Sequence, residues 1–304
     1  MRVDRQFRIM GSDAHIILTG ADSELADSLV ERLVELEQRW SRFIPDSELS
    51  RLNAGSGAPT VVSHETMMLI ERAVWAWQKT SGRFDPTVLS ALISAGYSRS
   101  FEQLADVLVH TTGAEQTPVP GCAEIEINPS INLVQLPGGV GIDPGGIGKG
   151  LAADLVAVEA VERGAVSALC SLGGDLRVAG DPPSEGWEVA LDHFLLREAR
   201  INLHGGALAT SSTLRRRWNT DEGEAHHVID PRTALPSTGQ AVACTVIAAE
   251  AWWAEALATT ILVGWGEPEL ERELTDLLDQ AGALVTLSSG EQLTSGAFAE
   301  SFSL

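Results

Sequence analysis

Residues 138–164 read GGVGIDPGGIGKGLAADLVAVEAVERG. The first half is the densest run of glycine in the chain. The second half has helical spacing: Leu151, Leu155 and Val158 recur on one face, and Gly164 supplies a C-terminal stop. A glycine turn feeding a helix presents backbone N–H groups at the positive helix end, where a phosphate can be held, and Lys149 adds a charge. A tight turn with close backbone packing accounts for the same glycines. Two nucleotide signatures fail. The residue six places before Lys149 is Asp143 and the next is Gly150, so this is no P-loop. No GxGxxG lies at a strand-to-helix turn with the dinucleotide spacing.

Upstream, Phe7–Leu18 reads as a strand with a turn at Gly11-Ser12-Asp13. Residues 22–40 read as a helix capped by Ser23, with Leu25, Leu29, Leu33, Leu36 and Trp40 at helical spacing. SRFIPDSELSRLNAGSGAPT (41–60) is mostly loop with one helical turn at SELSRL. A second helix covers 64–80. FDPTVLSALISAGY (84–97) turns at Pro86 into a short helix. Residues 106–137 are turn-rich, with a hairpin around Asn128-Pro129-Ser130.

Downstream, SALCSL, LRVAG and WEVALD read as strands. GGALATSSTLRRR (205–217) reads as a small-residue loop. HVID and VACTVIAA read as strands, 250–263 and 267–280 as helices, and ALVTL as a last strand. Strands and helices mix without a steady βαβ alternation or a repeat, which gives an α+β, mixed α/β class: one unit, 1–304, with two intimate lobes.

The chain has 304 residues, 44% hydrophobic and 21% charged, enough for a sizeable core. Lys plus Arg is 21 against 42 for Asp plus Glu, a formal charge of −21. That excludes an extended nucleic-acid face and an anionic-membrane surface, and it obliges any anionic ligand to be drawn in by local donors or a metal. Cys122, Cys170 and Cys244 form no CxxC pair and read as buried free thiols. No run reaches membrane-span or signal length, so the expectation is a cytoplasmic protein without a membrane span.

Three further stretches carry chemistry. In AEALATT (254–260), Glu255 and Thr259 are four apart and share a helix face; a carboxylate and a hydroxyl so placed suit a hard cation such as Mg²⁺. An exposed Glu and a helix Thr bonded to its own backbone account for the same pair. In HHVIDPRTALP (226–236), His227 is a candidate proton carrier near neutral pH, and alternation would put it on a face with Ile229. A surface histidine is the plain alternative. Phe43, in a polar loop beside Trp40, is an aromatic able to stack on a flat ring. Most of the eight tryptophans read as core or lobe-contact residues, and Arg215-Arg216-Arg217 is the only local cationic cluster.

The order of the blocks is more specific than any block alone. Met10-Gly11-Ser12 is followed by SRFIPDSELSRLN (41–53), GRFDPTV (82–88), IDPGGIGKG (142–150), SLGGDLRVAG (171–180), LATSS (208–212), HVIDPRTALP (227–236) and VACTVIAAEAWWAEALATT (242–260). From about residue 7 onward this resembles the ApbE family, the FAD:protein FMN transferases. The resemblance implies an enzyme that binds FAD as substrate, uses Mg²⁺, joins FMN to a Thr or Ser hydroxyl of an acceptor flavoprotein, and releases AMP. Alternatives within the resemblance are an FAD pyrophosphatase giving FMN and AMP, and a non-catalytic FAD-binding protein.

By the same resemblance Met10, Phe43, Arg83, Phe84, Asp85, Gly145, Leu151 and Ile229 line the FAD site. His227 is the catalytic base, and Gly148, Glu255 and Thr259 hold the metal. Three positions depart from the family pattern: Glu255 stands for Asp, Ser212 for the Gly of TSG, and Ala234 for the Gly of PRTG.

Overall fold

The computed structural model describes residues 1–104, 107–111, 119–191, 200–221 and 223–298. They fall into two compact units. The first comprises 1–35, 147–211 and 240–304; the second comprises 36–146 and 212–239. In sequence, the second unit is therefore two excursions from the first.

The first unit is built on an eight-stranded sheet. Its strands follow one another in space in chain order: Arg2–Ile9, Ser12–Thr19, Ser167–Leu172, Asp175–Gly180, Gly206–Ser212, Ala241–Ala248, Gly282–Leu287 and Gln292–Gly296. The pairings with a described register are antiparallel. Ile17, Leu169, Val178, Leu208, Leu284, Trp187 and Phe298 form one buried cluster. The helices Gly148–Glu162 and Ala251–Gly264 pack on the strands and on each other. Both are apolar almost all round, as buried helices must be. Gly150 lets them approach: a Cβ there would collide with the Ala251 carbonyl.

Two buried clusters of the described residues belong to the second unit. Leu49, Leu52, Met67, Ile70, Val134 and Ile142 form one, under the helices Glu48–Ala54 and His64–Lys79. Leu92, Tyr97, Leu104, Trp218, Ile229 and Ala234 form the other. Ser47 and Ser63 cap those two helices, each accepting from the backbone N–H three residues on. Glu48 ties them together, its Oε2 accepting from Ser63 N, Ser63 Oγ and Thr66 Oγ1 at 3.0, 2.7 and 2.6 Å.

The mixed α/β expectation holds, as do the helices at 23–40, 64–79, 148–162 and 251–264 and the hairpin at 126–135. Other readings need correction. Asp22, whose Oδ1 accepts from Leu25 N at 2.9 Å, does the capping assigned to Ser23, because Ser23 already lies inside the helix. The turn expected at Gly11-Ser12-Asp13 is a two-residue turn at Met10-Gly11, both with positive φ (50° and 62°). The supposed loop at 205–217 contains a strand in the interior of the sheet, Gly206–Ser212. Its Gly and Ala residues have little β preference of their own, and pairing on the sheet overrides that. HVID is not one strand: Gly223–His226 and Ile229–Asp230 are separate, with a bend at His227. Parts of the 106–137 reading, and Asp192 of WEVALD, lie outside the described residues.

The departures at 212 and 234 are accommodated locally. Ser212 Oγ accepts from Leu214 N at 3.0 Å and makes its own turn. Ala234 takes φ +56°, the left-handed form a glycine would adopt, at a strain of about 1 kcal/mol.

Candidate functional site

The helix Ala251–Gly264 puts Glu255 and Thr259 one turn apart, as the spacing requires. Glu255 is not exposed: it is 3% accessible and sits in a cluster of the first unit. Its Oε1 accepts from Lys149 Nζ at 2.6 Å, and its Oε2 from Gly150 N at 2.9 Å. Lys149 Nζ also pairs with Asp175 Oδ2. Asp175 Oδ1 accepts from Thr210 N at 3.2 Å, and Thr210 Oγ1 lies 2.8 Å from Thr245 Oγ1. Thr259 Oγ1 lies 3.0 Å from Ser211 Oγ. Gly148 opens the helix that supplies Lys149 and Gly150.

The residues the sequence placed at a metal thus share one neighbourhood with three it did not: Asp175, Thr210 and Ser211. Asp175 belongs to the SLGGD block and Ser211 to LATSS, so the blocks marked them, although nothing in their spacing paired them with position 255. Burial drives the Glu255 carboxyl up from its ordinary range, and the Lys149 charge pulls it back. With both carboxyls ionised, Lys149 against Asp175 and Glu255 leaves a net charge of −1 in a buried place.

Among the described residues there is no group of three or more His, Cys, Asp or Glu side chains able to hold a metal. The donors here are two carboxylates and hydroxyls, an all-oxygen set with surplus negative charge. That chemistry fits a hard cation such as Mg²⁺, which takes few protein ligands and completes its shell from water and phosphate oxygens.

Asp154, on the helix Gly148–Glu162, holds the start of the helix that carries Glu255. Its two oxygens accept from Ala251 N at 2.9 Å and Trp252 N at 3.0 Å, satisfying donors that a helix N-terminus leaves open. Arg177 Nε lies 3.5 Å from Asp154 Oδ1. Burial pushes the Asp154 carboxyl up to about 6 against those two backbone bonds. Asp154→Asn replaces one acceptor oxygen with an NH₂ facing a donor. We expect a stability loss of about 1–3 kcal/mol in chemical denaturation; an unchanged midpoint would show that the carboxylate does not hold the helix.

In the second unit, three of the sequence blocks meet at the start of the glycine loop. Asn53 brackets Ile142, accepting from its N–H at 2.8 Å and donating to its carbonyl at 2.9 Å. Asp143 N donates to Pro86 O at 2.8 Å. Arg42 pairs with Asp143 at 2.5 Å and donates to Tyr97 O at 2.9 Å. The Arg42 guanidinium lies 4.1 Å from the Phe43 ring centre and 4.7 Å from that of Tyr97, which stacks on Trp218. Phe43 itself stays 38% exposed, a braced ring with an open side. Gly145 is exposed, and its N–H donates to Asp143 Oδ1 at 2.8 Å.

Arg83, Phe84 and Asp85 are buried. The Asp85 carboxylate accepts from Thr87 N at 2.8 Å and Thr87 Oγ1 at 2.6 Å, so it shapes its own turn; burial raises it above the usual range. Ile229 is a core residue beside Tyr97 and Trp218, and Leu151 is fully buried in the first unit. Met10 is half-buried in the first unit.

The two histidines separate cleanly. His226 is buried, with Nε2 3.0 Å from Ser237 O and Nδ1 accepting from Val228 N at 3.3 Å. That pattern is the neutral ring with its proton on Nε2, and burial lowers its pKa. His227 stands half-buried at the bend. The motif's Asp230 binds Arg232 through N at 3.0 Å, Nε at 2.8 Å and Nη2 at 2.7 Å, which closes the DPR turn. All three cysteines are buried free thiols, as expected. Among the described residues no helix is long and apolar enough to cross a membrane.

Known proteins fit this picture. The FAD:protein FMN transferase of Vibrio cholerae is 27% identical over 253 residues, covering 80% of this chain and 74% of that protein. That of Treponema pallidum is 27% identical over 243 residues, covering 72% and 65%. That of Escherichia coli K12 is 29% identical over 278 residues, covering 84% and 76%. In three dimensions the ApbE protein of Thermotoga maritima superposes over 100% of both chains with a TM-score of 0.86 at 24% identity. The flavin transferase ApbE of Vibrio cholerae does so over 99% of both with a TM-score of 0.83, also at 24% identity. At that identity the two structures speak for the fold. The ApbE family model matches residues 10–284, a stretch that takes in every block from Met10 to Thr259, and the chain belongs to the ApbE family.

Proposed function

We propose that this chain, acting over 1–304 as one flavin-transferase domain, is a Mg²⁺-dependent FAD:protein FMN transferase. It moves FMN from FAD onto a Thr or Ser hydroxyl of an acceptor protein. The acceptor oxygen bonds to the FMN phosphorus, the bond from that phosphorus to the bridging oxygen breaks, and AMP leaves with that oxygen. The observation that carries this reading is the oxygen cluster around the buried Glu255 and the half-buried Thr259, in a chain whose relatives are named for that transfer.

Glu255, Thr259 and Gly148 would hold Mg²⁺, which when bound neutralises charge on the diphosphate. His227 takes the proton of the acceptor hydroxyl. The braced Phe43 ring offers a stacking face, and Met10, Arg83, Phe84, Asp85, Gly145, Leu151 and Ile229 shape the FAD site directly or through their turns. Incubating the protein with FAD, Mg²⁺ and a Thr-containing acceptor should release AMP in step with loss of FAD, followed by chromatography. AMP with free FMN and no adduct would make it a pyrophosphatase.

A second reading, an FAD-binding protein that leaves FAD intact, draws on the ammonium of Lys149 lying on Glu255. FAD unchanged after hours with Mg²⁺ would favour it, and Glu255→Asp should then raise turnover.

Met10 separates stability from ligand binding. A two-residue turn with positive φ at both positions favours Asn-Gly, and Met pays for that conformation. Met10→Asn should raise stability by about 1 kcal/mol and weaken FAD binding. A variant that gains stability and binds FAD as wild type does would remove Met10 from the FAD site.

A further inference from the structure

We propose that Lys149 is a resident counter-cation of the Glu255 site: it keeps the metal-free protein stable and weakens divalent-ion binding by competing for Glu255. This rests on the reading that Glu255 and Thr259 take a metal. The four carboxylate oxygens of Asp175 and Glu255 each have a donor: Thr210 N, Lys149 Nζ twice, and Gly150 N. Both carboxylates are 3% exposed, and the Lys149 side chain is 17% exposed. Two of these donors, Thr210 N and Gly150 N, are backbone groups fixed by the fold, and Lys149, which serves the other two oxygens, is the cationic member of this set.

Two consequences follow from its charge. Without the ammonium, two carboxylates would lie buried together with no counter-charge, an arrangement that strongly destabilises a fold. With it, a divalent ion approaching Glu255 meets a positive charge already at hydrogen-bond distance from Oε1. Removing Lys149 therefore makes the protein less stable without metal and more avid for it.

The test uses Lys149→Met, of similar length and uncharged, with Mn²⁺ as probe. Binding is read by the loss of the free-ion electron-spin-resonance signal, and stability by melting in EDTA. We expect Mn²⁺ to bind about tenfold more tightly or better than to wild type. The melting temperature in EDTA should fall and recover with Mn²⁺. The double variant Lys149→Met/Glu255→Gln should melt in EDTA near wild type, because the net charge of the cluster returns from −2 to the wild-type −1. Should the single variant not fold in EDTA, rescue by the double variant supports the inference and failure of rescue overturns it. A folded Lys149→Met protein whose Mn²⁺ affinity is unchanged or weaker overturns it, as does absence of Mn²⁺ binding by both proteins. AMP release from FAD by wild type is scored separately, so the transfer reading can stand or fall on its own.

Discussion

Glu255→Gln should lower FAD-dependent AMP release by about 10³-fold at saturating Mg²⁺ while leaving the fold intact. The carboxylate is buried, and the cluster of Lys149, Asp175 and Glu255 carries a net −1. The amide keeps the shape and can still accept from Gly150 N or Lys149 Nζ, but Lys149 and Asp175 then balance, and nothing is left to attract a divalent ion. A cation at a diphosphate is worth several kcal/mol of barrier; about 4 kcal/mol corresponds to three decades. Because the lost charge is one member of a tight cluster, stability should change little or rise, as buried carboxylates cost desolvation. Steady-state AMP release within threefold of wild type would remove Glu255 from the metal site. Glu255→Asp tests the departure from the family pattern: the shorter side chain must reach the same place from the same helix turn.

His227→Gln should cost about 10²–10⁴-fold in the rate of flavin transfer, with FAD affinity unchanged. The neighbouring histidine supplies the control. His226 uses both ring nitrogens on the backbone, at Ser237 O and Val228 N. His226→Gln should therefore cost stability, about 1–2 kcal/mol, rather than chemistry. Comparable losses of rate in both variants, or a larger loss at 226, would show that the bend at His227 does not place the base. Measuring adduct formation and FAD binding separately distinguishes the two.

Much of this arrangement is written in the chain locally. Glu255 and Thr259 share a helix face because they are four apart, and the glycine turn leads into the helix Gly148–Glu162 as read, although Val158 of its expected apolar face is exposed. The blocks SRFIPDSELSRLN, GRFDPTV and IDPGGIGKG also have a physical reason to occur together: Asn53, Arg42 and Pro86 all bind Ile142 or Asp143.

What could not be read is long-range. Lys149 suggested a phosphate donor, yet its ammonium lies on carboxylates 26 and 106 residues away, a pairing that no periodicity encodes. The strand Gly206–Ser212 was hidden because its Gly and Ala residues gain their strand conformation from neighbours in the sheet. The separate roles of His226 and His227 depend on a bend in what reads as one alternating strand. Asp154 carries no local signal, since its partners are backbone N–H groups nearly 100 positions away.

The intact mass of an acceptor protein after incubation with this chain and FAD, with Mg²⁺ or with excess chelator, tests the central claim most directly. With Mg²⁺ the expected result is a gain of one FMN less one water and an equal amount of AMP, and neither in chelator. An unmodified acceptor alongside intact FAD in both samples would contradict it.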